Sequence, residues 1–476
     1  MTKIIISNCI EIREPSNELL QYVKKELTFK NPEFEKRKRL GYYAYGTPKE
    51  IKLYNYYEGN LYLPYGFFSK LWKQHPISSD YIDYTSSVPR DIKSHMTLRD
   101  YQVPCLKAIK EKYCGIFHVV VGLGKTNMAL ACSSELKQHT LWITHTSDLV
   151  KQSKERAEQT LDCTTSTITE GKCDVSGDIV FATVQTLIKF IEKEEISQTE
   201  FGMVVVDETH RVSCNVSSIQ MFRSCVEYFS ARYRLGLTGS LHRADGLIDC
   251  VMAIMGEPIY SIYQKNDMYV CEYNGEIINR FSSENYSVKP NVKVIETDYN
   301  LEGKEVFAKN GGTIQFASLI SDIAMNEDRN NIIANELNSI EGSTIVLSDR
   351  VEQLKYLCSR VDNGVQIDGS TPKKLRAKAL DDVRSGRIKY LFASYNLCKE
   401  GLDAPILSNL VMATPVKDFS IVVQSIGRIM RPFGNKRKAT VYDFVDKVGM
   451  LRNFYAKRRS IYRKNKWDIE NIYLGG

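Results

Sequence analysis

Hydrophobic residues in this chain fall largely into short solid runs. GIFHVVV begins at Gly115, LWIT at Leu141, DIVFAT at Asp178, VVV at Val204 and YRLGLT at Tyr233. Each is closed by Gly, Ser, Thr or Asp, and most lead into a stretch with helical spacing. Such runs predict parallel strands buried on both faces, each followed by a helix. The plan repeats after residue 340. Ile345 to Leu347 reads as a strand with Val351 to Leu357 as its helix, Val365 begins a short strand and turn, and Val441 to Val445 reads as a last strand. Two successive sets of βα units predict two parallel-sheet α/β domains. Val103, Leu106 and Ile109 have the spacing of an amphipathic helix. The first 95 residues differ: Ile51 and Leu53 flank Lys52, the alternation of half-buried strands, and predict a small α/β domain.

The bulk numbers agree with this division. At 476 residues the chain exceeds one hydrophobic core. With 43% hydrophobic and 25% charged residues it is not a disordered chain. A net charge of +7 leans toward an acidic partner. The twelve cysteines form no CxxC pair, which argues against a zinc knuckle and for a reducing, cytoplasmic setting (host cytoplasm for a viral chain). The apolar run in MTKIIISNCIEIREP is too short for a signal peptide, and no run of 18 apolar residues exists, so no membrane partner is expected.

The chemistry concentrates at strand ends. VVVDETH places Asp207 and Glu208 together where a buried strand stops. Adjacent carboxylates repel and resist burial, and a divalent cation is the usual remedy. GLGKT, Gly122 to Thr126, offers the other half of such a site. Gly122 and Gly124 let backbone amides crowd around phosphate oxygens, and the helix that follows adds its positive end. Lys125 supplies a charge for the terminal phosphates and Thr126 a hydroxyl for Mg²⁺. Position 119, where this loop usually has its first glycine, is Val119. Asp207 would hold the Mg²⁺ and Glu208 would polarise the attacking water. ATP and Mg²⁺ are the expected cofactors, and His210 would relay the nucleotide state onward.

From the P-loop and DETH together, the chain resembles the superfamily 2 helicases of DExH type. Its nearest likeness is to phage branch-migration helicases and the related poxviral and eukaryotic repair-type enzymes. The resemblance covers residues 98 to 446 and implies two RecA-like motor domains. It implies an adenine contact for Gln102 in LRDYQ, supported by Arg99. It implies nucleic-acid contacts for Thr146 and Ser147, for Thr183 and Gln185, and for Arg243 and Ser394. Thr238-Gly239-Ser240 resembles the motif linking the ion site to nucleic acid, with Gly239, Ser240 and Leu241 departing from the usual Ala, Thr and Pro. Gly401 and Asp403 would lie at the lobe interface, Asp403 near the ribose or the partner lobe. In QSIGRIMRP, Gln424 would couple to the attacking water, Arg428 would contact phosphate and Arg431 would act as the arginine finger. Spaced by three, the two arginines are expected on one helix face.

The domain reading is 1–95 accessory, 96–268 first motor and 269–476 linker with second motor. KRKR at Lys36 to Arg39 and the tyrosine-rich stretches around it suit nucleic acid, or equally an aromatic core. The resemblance implies an ATP-dependent helicase or translocase, a monomer, acting on forked or branched DNA in replication, recombination or repair. An RNA helicase or transcript-release ATPase in viral transcription is the alternative.

Overall fold

The computed structural model describes all residues except 1–2, 43–44, 75–80, 121, 213–219, 242, 244, 266–267, 283–287, 303–313, 400–401, 403, 435 and 474–476. The chain forms two compact units. The first holds residues 1–263 and 269–281, the second residues 264–268 and 282–476.

The first unit is organised by a ten-stranded sheet. Its strands run in the order Lys172–Cys173, Thr165–Thr169, Ile179–Thr183, Thr140–Thr144, Met203–Val206, Tyr233–Thr238, Cys114–Val119, Pro258–Lys265, Met268–Tyr273, Glu276–Ser282. The strands from Thr165–Thr169 through Pro258–Lys265 pair in parallel. Every residue of Thr140–Thr144, Ile179–Thr183 and Met203–Val206 is buried, as solid apolar runs require. The carboxyl ends of these strands are where GLGKT, DETH and TGS begin, the edge at which open α/β sheets present their ligand loops.

The accessory region is a five-stranded sheet in the order Asn55–Tyr57, Asn60–Pro64, Cys9–Arg13, Lys3–Ile6, Tyr81–Asp83. Ile4, Ile6, Ile10, Ile12, Leu61 and Leu63 line its inner face, and they join one continuous core with Leu141, Val204 and Val206 of the motor sheet. Arg234 fastens the two. It is fully buried on the central strand Tyr233–Thr238, and its guanidinium donates to the carbonyls of Ser7, Asn8 and Phe229 at 2.9–3.1 Å. The ring of Tyr65 lies 3.9 Å from that cation. The KRKR segment ends a helix, Pro32–Arg39, that buries no residue.

The second unit is an all-parallel sheet of seven strands in the order Gly364–Ile367, Tyr390–Ser394, Thr344–Ser348, Asn409–Met412, Ala439–Val445, Pro290–Glu296, Asp468–Tyr473. Both units are thus the RecA-like α/β layers expected. The basic run after the Ala439–Val445 strand is a helix, Gly449–Lys464, and part of it faces inward. Arg458 is buried against Asp443, with two hydrogen bonds of 2.7 and 2.9 Å. That arginine serves the lobe's own packing. Val103, expected on the buried face of its helix, instead caps Pro104–Lys112 half exposed, while Cys105, Ala108 and Ile109 form the buried stripe.

Candidate functional site

The phosphate loop begins where Cys114–Val119 ends. Gly122 and Gly124 both take positive φ, 96° and 83°, and Gly124 is the residue preceding the helix Lys125–Leu136. Glycine removes the steric cost of that left-handed turn. A Cβ at Gly124 would also come within 2.6 Å of Gln102 Nε2. Gln102 is buried. Its Nε2 donates to the carbonyl of Leu123 at 2.9 Å, and its Oε1 accepts from the amide of Arg99 at 3.0 Å. The amide therefore braces the loop between its two glycines. Thr126 is half-buried in the first helical turn.

Two strands away, Met203–Val206 delivers Asp207 and Glu208. Glu208 is held left-handed at φ 52°, ψ 50°, a conformation that costs a bulky L-residue about 1–3 kcal/mol. The turn brings its carboxylate onto Lys125. Lys125 Nζ pairs with Glu208 Oε1 and lies 3.4 Å from Asp207 Oδ1. Asp207 Oδ1 also accepts from the amide of Glu208 at 2.9 Å. The charges answer one another. Burial alone would lower the Lys125 pKa, but Asp207 and then Glu208 raise it above its usual value. Burial also opposes ionisation of Glu208, yet Lys125 and His210 draw it down to about 2. Asp207 moves the other way, raised chiefly by burial. Lys125 is thus the cation that the two acids share, and phosphate would compete with them for it.

His210 continues the chain of contacts. Its Nδ1 is 3.2 Å from Glu208 Oε2 and 3.1 Å from Thr238 Oγ1. Burial, reinforced by Arg211, Lys125 and Arg243, lowers its pKa to about 4 against the pull of Glu208, so the ring is neutral near pH 7. Thr238 uses its one proton on the carbonyl of Ser240, at 2.7 Å, and accepts from the amide of Ser240 at 3.2 Å. The proton of the neutral ring therefore belongs on Nδ1, shared between Glu208 and Thr238. Gly236 makes the approach possible, because a Cβ there would meet Thr209 Oγ1 at 2.8 Å. Sequence reasoning passed over Gly236, although a glycine inside an apolar strand is itself a signal of close approach.

Arg243, expected at nucleic acid, donates through Nε and Nη2 to the two oxygens of Asp245 at 2.9 and 2.6 Å. Its Nη1 donates to the carbonyl of His210 and, at 3.2 Å, to that of Val212. With all three of its nitrogens engaged and its side chain 10% exposed, it holds the DETH turn. The other expected contacts sit at loop mouths. Thr146 caps the helix Ser147–Thr160 by accepting from the amide of Leu149, which leaves Ser147 in its first turn. Gln185 Nε2 donates to the carbonyl of His145 at 3.0 Å, joining these two loops. Thr183 is buried and donates to Thr186 at 3.0 Å.

In the second unit, Ser394 ends the strand Tyr390–Ser394 and accepts from the amide of Leu397 at 3.3 Å. Gly401 and Asp403 lie outside the described residues. Gln424 stands in the helix Phe419–Ile429, and its Oε1 is buried with no hydrogen-bond partner among the described residues. Arg428 Nη2 donates to the carbonyl of Cys398 at 3.1 Å. The helix stops at Ile429 with Met430 as its cap, so Arg431 stands beyond it rather than on one helical face with Arg428. Pro432 accounts for this, since it disfavours helical geometry in the residue before it.

The donor set fits magnesium. Among the described residues no group of three His, Cys, Asp or Glu could hold a metal. A hydroxyl at Thr126 and a carboxylate at Asp207 are the few hard oxygens used by an ion bound mainly through phosphates and water. No described helix is long and apolar enough to cross a membrane.

Comparison with known proteins follows the same division. Residues 95–243 match the family described as type III restriction enzyme, res subunit. Residues 328–432 match the helicase conserved C-terminal domain. The chain is 25% identical over 475 residues to a probable helicase of Escherichia phage T5, covering 98% of this chain and 95% of that one. It is 24% identical over 389 residues to a putative ATP-dependent RNA helicase of Acanthamoeba polyphaga mimivirus, covering 79% and 70%. It is 26% identical over 362 residues to a DNA 3'-5' translocase of Sulfurisphaera tokodaii, covering 71% and 80%. Two helicase families in tandem, with the acids and lysine of the first joined at strand ends, define a nucleic-acid-dependent ATPase. The two matched segments give the chain a superfamily 2 helicase core, related to those of phage and archaeal helicases.

Proposed function

We propose that this protein is an ATP-dependent DNA translocase that remodels forked or branched DNA, in replication, recombination or repair. The observation that carries the ATP chemistry is Lys125, at the start of the helix after Cys114–Val119, bridging Asp207 and Glu208 at the carboxyl end of Met203–Val206. When ATP binds, its phosphates take Lys125 from the acids. Mg²⁺ would be held by Thr126 and Asp207 and would supply charge neutralisation at the phosphates. Glu208, released from the lysine, gains basicity and polarises the attacking water. His210 and Thr238 carry that change toward the loop at Ser240. Gln102 receives adenine while bracing the loop, and a ribose contact is proposed for Asp403. Arg428 and Arg431 stabilise the charge on the transferring phosphate, and Gln424 couples to the water. Thr146, Ser147, Thr183, Gln185 and Ser394 face the tracked strand.

DNA is favoured over RNA by the likeness to the archaeal DNA translocase. The likeness to the mimivirus protein named as an RNA helicase favours the second reading, an RNA helicase or transcript-release ATPase. ATP turnover measured with a four-way junction, a fork, plain duplex and single-stranded RNA separates the two. Stimulation and strand exchange greatest on the branched DNAs is the expected result, and stimulation by RNA alone would reverse the assignment.

A further inference from the structure

Phe281 is the last residue of the first unit, and the second unit resumes at Ser282. Its ring stacks on Tyr101, with centroids 4.6 Å and planes 15° apart. Tyr269 lies against it at 5.3 Å. Tyr101 is only 3% exposed and stands where several segments meet. Arg99 Nη1 donates to its hydroxyl at 2.9 Å, and that hydroxyl is 3.5 Å from the carbonyl of Leu123. Its own carbonyl accepts from Tyr260. The next residue, Gln102, donates to the same Leu123 carbonyl. Two consecutive side chains thus converge on one carbonyl between the two glycines of the phosphate loop. Phe281 is the lateral support of the first of them.

We propose that Phe281 is a positioning residue for the phosphate loop, and that its stack on Tyr101 couples the chain entering the second lobe to the ATP site. The inference rests on reading Gly122 to Thr126 as the ATP loop. Any pull on the chain after residue 281 acts first on a ring packed flat against Tyr101. A shift of Tyr101 moves its hydroxyl relative to Leu123 and carries Gln102 with it. A phenylalanine that merely filled the core would need only apolar volume. A coupling ring needs its flat face, because near-parallel contact is what transmits the displacement.

The experiment uses the full chain with Phe281→Tyr, Phe281→Leu and Tyr101→Phe. KM for ATP and turnover are measured with and without forked DNA and single-stranded RNA, beside the melting temperature. Phe281→Tyr is expected to match the wild type. Phe281→Leu is expected to keep the melting temperature, raise KM and lower nucleic-acid stimulation, together by about two- to tenfold, the range that one stacked pair supports. Tyr101→Phe keeps the stack but removes the hydroxyl at Leu123, and is expected to shift the same two quantities in a folded protein even where the leucine variant melts early. Wild-type KM and stimulation in both Phe281→Leu and Tyr101→Phe overturn the inference alone. A wild-type chain that neither bound nor hydrolysed ATP would overturn the functional reading, and this inference with it.

Discussion

Nδ1 of His210 lies 3.1 Å from Oγ1 of Thr238, so the turn carrying Asp207 and Glu208 is hydrogen-bonded to the strand end that leads to Ser240. Because Thr238 donates elsewhere, the histidine is the donor. Replacing Thr238 by Val keeps the strand's apolar packing and removes the acceptor. Thr238→Val should bind ATP normally, yet separate about two- to tenfold fewer base pairs per ATP hydrolysed, as expected for one lost hydrogen bond. Paired measurement of phosphate release and strand separation decides it, and an unchanged ratio removes His210 from the relay.

Glu208→Gln tests the water. The amide retains the shape of the side chain but takes up no proton, so turnover should fall about 10²-fold or more with nucleotide affinity kept. Lys125→Ala should weaken affinity too, and it leaves Asp207 and Glu208 facing one another without their shared cation. A fluorescent ATP analogue reports binding, and phosphate release reports turnover. Normal hydrolysis by Glu208→Gln in the presence of DNA would show that another group activates the water.

The same cluster sets an acid limit on stability. His210 falls from its usual 6.5 to about 4 on folding. The unfolded chain therefore binds more protons in that interval, and stability is lost as pH drops from about 6.5 toward 4. Glu208, lowered to about 2, extends the loss below pH 4.5. Asp207, raised by burial, has the opposite sign and softens the slope. The His210 contribution is on the order of 3 kcal/mol at full development. Urea midpoints at pH 7, 6 and 5 should fall in the wild type and fall less in His210→Gln. Parallel curves for the two proteins would place the acid sensitivity elsewhere.

Much of this architecture was legible because parallel strands buried on both faces must be solid apolar runs, and ligand loops must follow them. VVVDETH and GLGKT can be paired from the sequence alone. The strand Asp468–Tyr473 was not visible, since DIENIY mixes charge with apolar residues at a sheet edge. The burial of Arg458 against Asp443 was equally hidden, because a basic run looks the same whether it faces solvent or a buried acid. Spacing alone put Arg428 and Arg431 on one helical face, whereas Pro432 ends the helix first. The Tyr101–Phe281 stack joins residues too distant along the chain for any local pattern to reveal.

Arg431 gives the sharpest test of the two-lobe mechanism. It belongs to the second unit and Lys125 to the first, so the proposed action on ATP would require the motor to close. A guanidinium can bridge two phosphate oxygens in a plane, whereas an ammonium offers a point charge. Arg431→Lys should therefore bind ATP and DNA nearly as the wild type does, but hydrolyse at least about 10²-fold more slowly. DNA stimulation should fall more than basal turnover if, as proposed, DNA acts by closing the motor. Arg428→Ala should behave differently. Arg428 already holds the carbonyl of Cys398, so its loss should also loosen that segment and lower the melting temperature. Steady-state turnover with and without forked DNA, nucleotide affinity and melting temperature for both variants separate the roles. Undiminished DNA-stimulated hydrolysis in both Arg431→Lys and Arg431→Ala would exclude Arg431 from the site and require the transferring charge to be met by another cation.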